Sequence, residues 1–358
     1  MRVFRYTRLA LRICGRPLIL AAALLSAPPL ARAEGEPSVV VFSGPTMGTR
    51  YTVRVVAAPL DDDERDGIQM AIEAELALAD RLLSTWNPES ELSRFNAHAS
   101  TEPFPLARET MGLLEIAREV SELSGGAFDV TVGPLVQAWG FGPAGPPPRT
   151  PSAEALAELR TRVGQGLLLL DAGAGTASKT RPDVACDLSA LAPGWTADRI
   201  AAALGDLGHR HLIVDVGGEV AARGRRVDGT RWRVAVEAPG QPRENVTVLA
   251  LEDTAVATSG DYRNAWVDEE GRRRSHLIDP RTGEPAAHGL ASVTVVHPEG
   301  AWADALATAL LVMGPDAAWG LATERELAVR LVARAEDGAY SAATTAEFKA
   351  LEWAGPAE

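Results

Sequence analysis

The chain has 358 residues, 46% hydrophobic and 23% charged, with only 5% aromatic. That is an ordinary globular composition, long enough for roughly two domains, with Leu, Val, Ile and Ala filling most of the core. It excludes a collagen, a coiled coil and a polytopic membrane protein, and a formal charge of −13 argues against a nucleic-acid partner.

The first 33 residues differ from the rest. Arg2, Arg5, Arg8, Arg12 and Arg16 form a basic leader, an apolar stretch runs from Leu18 to Leu25, and Ala31-Arg32-Ala33 places small residues at −3 and −1 of a cleavage site. This is the layout of a secretory signal peptide. The apolar run is shorter than the about 20 residues a bilayer span requires. We therefore expect an exported, periplasmic protein cut near Ala33, with no stable transmembrane segment afterwards. Six arginines and no acid lie in the leader, so the mature chain carries −19. Cys14 falls in the leader and precedes the apolar run, so it is not placed for lipid attachment. Cys186 is then the only mature thiol; it follows Val184 and Ala185 and reads as a buried strand residue.

Val39–Phe42 and Tyr51–Val56 read as paired strands joined through Gly44–Gly48. Asp61–Asp63 opens a long helix whose Ile68, Ile72, Leu76 and Leu83 share a face. Leu106–Leu123 is a second amphipathic helix, stopped by Gly125-Gly126. Phe141–Pro151 is a Gly/Pro-rich loop. Leu167–Leu170, Val184–Asp187, His211–Val216 and Trp232–Val236 read as strands, with a helix over Gly194–Leu204. Ser292–Val296 is a strand and Trp302–Met313 a helix. Without strict βαβ alternation, the pattern favours an α+β fold of mixed sheets and packed helices.

Several chemistries are absent. There is no GxxxxGK[ST], no HExxH and no GxSxG, and the six histidines lack zinc spacing. His209 and His211 alternate at a strand start and read as structural. Two lysines, Lys179 and Lys349, make a Schiff-base enzyme improbable.

Four segments carry chemistry. Ser259-Gly-Asp-Tyr262 is followed by Ser275-His276-Leu277-Ile-Asp279-Pro-Arg281-Thr-Gly283, a strand ending in His and a turn that gathers polar side chains at one rim. His276 suits proton abstraction from a hydroxyl, and Arg281 can fork onto a phosphate, although the same pattern also serves as a plain chain reversal. Arg272-Arg273-Arg274 reads as a solvated hairpin face. In Ala303-Asp304-Ala-Leu-Ala-Thr308, a carboxylate and a hydroxyl lie one helical turn apart among small apolar residues. Either a hard cation such as Mg²⁺ holds both, or Thr308 bonds back to its own helix. Asp187-Leu-Ser-Ala190-Leu-Ala-Pro193-Gly194 is a bend before a helix, where free backbone groups can meet an anion or a metal, or simply start the helix. Finally, Gly125-Gly-Ala127-Phe128-Asp129 through Trp139-Gly-Phe141 packs helix end, short strand and turn together. Core packing is the plainer reading of Phe128 taken alone.

Together with Met47-Gly48-Thr49, Leu83-Ser-Thr-Trp86, Ser90–Asn96 and Asp215-Val-Gly-Gly218, these segments resemble the FAD:protein FMN transferases, the ApbE family, in family order over about residues 40–335. The resemblance implies a T-fold-like α+β catalytic domain over residues 34–358, as one unit or as two subdomains around an FAD cleft. It implies a Mg²⁺-dependent enzyme that cleaves FAD, attaches FMN through a phosphoester to a Thr of a partner, and releases AMP. The partner is an acceptor protein with a D-x-[ST]-[GA]-[AST]-T motif, such as a redox-complex subunit. Met47, Trp86, Ala127, Phe128, Asp129, Asp187, Pro193, Leu277 and Arg281 would line the FAD site. Asp304, Thr308 and the Ala190 carbonyl would hold Mg²⁺. His276 is the candidate base, with Asp279 as orienter or substitute base. Pro193 stands where the family commonly has Lys, Trp86 where Tyr is frequent, and Glu219 where Asn or Asp is usual. Two alternatives share these residues: a Mg²⁺-dependent FAD pyrophosphatase giving FMN and AMP, and a flavin-binding protein without chemistry.

Overall fold

The computed structural model describes residues 35–143, 145, 150–236, 239, 246–262, 264–335 and 337–355. The expected leader, and part of the loop expected over 141–151, lie outside the described residues. Among those described, no helix is long and apolar enough to cross a membrane.

The frame is an eight-stranded sheet. Its order is Ser38–Thr46, Thr49–Ala57, Leu212–Val216, Glu219–Arg223, Thr254–Gly260, Leu290–His297, Ala328–Arg334 and Tyr340–Thr344. Every neighbouring pair is antiparallel. The first two strands alternate exposed and buried positions, the mark of a sheet with one wet face. Val53, Val55, Leu212, Val214 and Ala221 on the inner face meet Ile68 and Ile72 of the helix Asp62–Leu83 and Ile200 and Leu204 of the helix Ala192–Asp206. Asp61 starts the first of these helices with a full capping box to Glu64. The opposite face of the central strands is covered by the hairpin Trp232–Val236/Thr247–Leu251 and by Phe348.

One helix lies inside the molecule. Gly300–Met313 has 11 of its 14 residues buried, and its small side chains let it pack between the sheet and its neighbours. At its start it crosses Ala192–Asp206 through two glycines. A Cβ on Gly194 would stand 2.2 Å from the Gly300 carbonyl oxygen, and one on Gly300 would stand 2.3 Å from that of Gly194. Only glycine permits this approach of two backbones. Asp198 on the first helix accepts from the Gly300 N–H at the start of the second, and Arg223 pairs with the same carboxylate at 2.6 Å.

Two local expectations are corrected. Val184–Asp187 is no strand. Its polar backbone is satisfied elsewhere: Asn96 Oδ1 accepts from the Cys186 N–H at 2.7 Å, Asn96 Nδ2 donates to the Cys186 carbonyl at 2.8 Å, and the Asp187 N–H donates to the Val130 carbonyl at 2.7 Å. Apolar sequence marked it as buried, which Cys186 is, but burial alone does not supply a ladder partner. The short strand expected after Gly126 is instead a 3₁₀ turn, Val130–Val132, leading into the helix Gly133–Ala138. Here the Asp129 carboxylate accepts from the Thr131 N–H, a local bond that favours a helical start over an extended ladder.

Candidate active site

Strand register brings three turns to one rim of the sheet. Tyr51 pairs with Val216, Val216 with Glu219, and Gly260 with Ser292. The turns Met47–Gly48 and Gly217–Gly218 and the end of the strand Thr254–Gly260 therefore lie at the same edge. Met47 and Gly48 form a two-residue hairpin turn with φ of 47° and 70°, and two positive φ values are what a type I′ turn requires. Methionine in the left-handed region carries a cost of about 1–2 kcal/mol. This one also exposes 43% of its surface at the hairpin tip. Strain and an exposed apolar side chain at one position point to a ligand-facing role. Trp86 is 67% exposed and sits just past the first helix, in a turn braced by Ser84 Oγ, which accepts from the N–H groups of Trp86 and Asn87.

Asp129 and Asp187 come from neighbouring loops stitched together by the Asp187–Val130 bond. Asp129 is nearly buried and accepts from Thr131 N (2.8 Å) and Thr131 Oγ1 (2.6 Å). Burial raises its pKa, and the Thr131 bonds only partly offset that. Asp187 is half-buried and accepts from the Ser189 N–H at 2.8 Å. Ala127, Phe128 and Leu277 are core residues in one cluster with Leu188.

The proposed metal ligands meet parts of two other motifs. The Gly194 N–H donates to Asp304 Oδ2 at 3.2 Å, so the N-terminus of Ala192–Asp206 faces a buried carboxylate, as its dipole favours. Thr308 Oγ1 lies 2.8 Å from Ser259 Oγ, so its hydroxyl is shared with the Ser259–Tyr262 motif. Ala190 lies in the turn that precedes the helix. The set is a carboxylate, a hydroxyl and a main-chain carbonyl, all hard oxygen donors of the kind Mg²⁺ takes. Among the described residues no cluster of three His, Cys, Asp or Glu competes with it. Pro193 is the second residue of its helix, where an N–H has no intrahelical acceptor, so the helix tolerates the proline.

His276 follows the strand Arg273–Ser275 of a small hairpin with Ala265–Val267. Its Nδ1 lies 3.0 Å from the Asn264 carbonyl oxygen, which also accepts the His276 N–H. A carbonyl only accepts, so in the neutral ring Nδ1 carries the proton and Nε2 keeps a lone pair. The edge of Phe141 packs near the ring at 6.2 Å. The expected phosphate fork of Arg281 and the expected orienter Asp279 are paired with each other, Nε–Oδ1 and Nη2–Oδ2 both at 2.9 Å. For His276, the orienting contact is the Asn264 carbonyl. Asn264 and Ser259 are the residues that sequence reasoning did not single out. Ser259 stood inside a quoted motif, whereas Asn264 acts through its backbone and leaves no side-chain signal. The three arginines hold the hairpin: Arg272 and Arg274 reach Asp268 at 3.0 and 2.8 Å, and Arg273 reaches Asp261, two residues past Ser259.

The model of the ApbE family matches residues 47–331. The chain belongs to the ApbE family. The FAD:protein FMN transferase of Vibrio cholerae is 39% identical over 310 residues, 86% of this chain and 92% of that protein. That of Klebsiella pneumoniae is 37% identical over 327 residues, 90% of this chain and 92% of that one. Among solved structures, the flavin transferase ApbE from Vibrio cholerae superimposes with a TM-score of 0.80 at 37% identity, covering 88% of this chain and 99% of that one. The apo flavinyl transferase ApbE of Pseudomonas stutzeri gives 0.80 at 36%, covering 89% and 98%. The α+β architecture, with helices packed on sheets, is shared with these ApbE structures.

Proposed function

We propose that this ApbE chain transfers the FMN half of FAD to a threonine hydroxyl of an acceptor protein in a Mg²⁺-dependent reaction. The observation that carries the reading is a pair of contacts one turn apart on the helix Gly300–Met313, Asp304 with the Gly194 N–H and Thr308 with Ser259 Oγ, which bring three separate motifs together. The fit to the family over most of the chain supports the transferase activity.

Phosphoryl transfer asks a protein for alignment and charge compensation more than for covalent help. Asp304 and Thr308, with the Ala190 carbonyl, would hold Mg²⁺, which when bound offsets charge on the pyrophosphate. Met47 and Trp86 offer apolar and aromatic surface to a planar ring system. Asp129 and Asp187 offer carboxylate acceptors and adjoining backbone groups. His276 Nε2 takes the proton of the incoming threonine. The hydroxyl oxygen forms a new P–O bond to the FMN phosphorus, the bond from that phosphorus to the bridging oxygen breaks, and AMP leaves with that oxygen. With Arg281 held by Asp279, a phosphate contact from Arg281 requires the fork to be shared.

We take residues 34–358 as the catalytic unit and residues 1–33 as an export signal, which places the reaction in the periplasm. The acceptor carries a threonine in the D-x-[ST]-[GA]-[AST]-T pattern. The test is incubation with FAD, Mg²⁺ and a domain bearing that pattern, read by mass spectrometry. A gain of one FMN unit on the acceptor, with AMP released, is the expected result. AMP and free FMN without labelling would mean a pyrophosphatase, and intact bound FAD would mean a carrier.

A further inference from the structure

Lys179 is 1% exposed in a core that has little use for a cation. Its ammonium donates to the main-chain carbonyls of Asn96 (3.0 Å) and His98 (3.2 Å) and stands 4.9 Å from the centre of the Phe95 ring. Those carbonyls end the helix Glu91–Ala97, whose seven residues are too few to be stable alone. A cation at a helix C-terminus also suits the dipole. A methionine would fill the same volume without the cost of desolvating a charge, so the ammonium is retained for what it holds.

What it holds is Asn96. The Asn96 carboxamide bonds both the N–H and the carbonyl of Cys186, at 2.7 and 2.8 Å. One donor and one acceptor on a planar amide imitate a neighbouring strand one residue long. Among the described residues no strand pairs with this segment, so the side chain takes the place of a ladder. One residue on, Asp187 is tied to the Asp129 loop through Val130, and four residues on stands Ala190.

We propose that Asn96, fixed by Lys179, is a positioning residue for the FAD site: its carboxamide locks the segment at Cys186 and so sets where Asp187 and Ala190 stand. The proposal rests on the reading that those two residues serve FAD and Mg²⁺. It predicts that weakening the clamp loosens ligand binding more than a comparable loss of stability elsewhere does.

Cys186 is the built-in reporter. In the full chain with Cys14→Ser it is the sole thiol, 1% exposed, so an aromatic disulfide reagent reaches it only when the segment opens. The variants are Asn96→Asp, which sets an oxygen against the Cys186 carbonyl, and Lys179→Met. Leu249→Ala, in the core cluster on the far face of the sheet, is the stability control. FAD affinity with Mg²⁺ is read by calorimetry, alongside thiol labelling rate and Tm. We expect Asn96→Asp to weaken FAD about tenfold or more and to speed labelling. Lys179→Met should do the same to a smaller degree, with Leu249→Ala keeping wild-type affinity. An Asn96→Asp affinity within about twofold of wild type, or a loss matched by Leu249→Ala, overturns the proposal. If Asn96→Asp does not fold, Asn96→Ser carries the same comparison. Failure of the wild-type chain to bind FAD would overturn the underlying reading, and is told apart because the labelling rates still report whether the clamp exists.

Discussion

At the scale of single residues, the site assigns distinct work to groups of similar chemistry. His276 has Nδ1 at 3.0 Å from the Asn264 carbonyl oxygen, and it is the proposed base. His276→Ala should therefore lower kcat by about 10² to 10⁴ while leaving FAD affinity near wild type, a split that steady-state kinetics and calorimetry together resolve. Asp304 is the one carboxylate among the proposed metal ligands. Asp304→Ala should cut Mg²⁺-dependent turnover on the order of a thousandfold and abolish the response to added Mg²⁺. Full activity in that variant would falsify the metal site. Asp129 presents a different balance. Burial raises its pKa, so the folded state holds its proton more tightly than the unfolded chain does. Stability from this group is fully present below the ordinary carboxylate range and is lost as pH rises through the raised value. Asp129→Asn keeps an acceptor for Thr131 and removes the buried charge. It should raise Tm at neutral pH, with the gain vanishing toward pH 4, and at the same time weaken FAD binding.

At the scale of elements, the crossing of Ala192–Asp206 with Gly300–Met313 carries the most. The two helices touch through Gly194 and Gly300, and the Gly194 N–H is also a donor to Asp304. Gly194→Ala must push the helices apart. It should cost about 1–3 kcal/mol in denaturant unfolding and raise the Mg²⁺ concentration needed for half-maximal activity. Much at this scale was legible beforehand. The long first helix, the Arg108–Leu123 helix and the buried helix follow from apolar period and acidic or glycine boundaries. The strands Glu219–Arg223, Thr254–Gly260, Ala328–Arg334 and Tyr340–Thr344 are not among those expected from the sequence. Thr254–Gly260 and Tyr340–Thr344 hold Ala, Ser or Gly at most positions, whose β signal is weak, and their state is decided by neighbours distant in sequence. Val184–Asp187 shows the converse case, where β-like composition met a side-chain clamp in place of a sheet. The site was legible as motifs but not as contacts, because nothing in the spacing of Ser259 and Thr308, 49 residues apart, announces that their hydroxyls touch.

At the scale of the whole molecule, the charge and the leader give a prediction of their own. A chain of −19 after loss of its basic leader should be found outside the cytoplasm beginning at or near Glu34, which N-terminal sequencing of the exported protein checks. An intact Met1 on the exported protein would argue for a retained anchor. The order of the sheet has a separate consequence. Its first hairpin ends at Ala57, yet the partner that covers its inner edge begins at Leu212. A nascent chain emerging at about 5–20 residues per second keeps that hairpin without its mate for about 8–30 s. During this interval the unpaired edge of Thr49–Ala57 can pair with any passing β-segment. Holding the chain apart from its siblings until the second half arrives is thus a task that falls to chaperones, and crowded overproduction should favour inclusion bodies over slow translation of the same message.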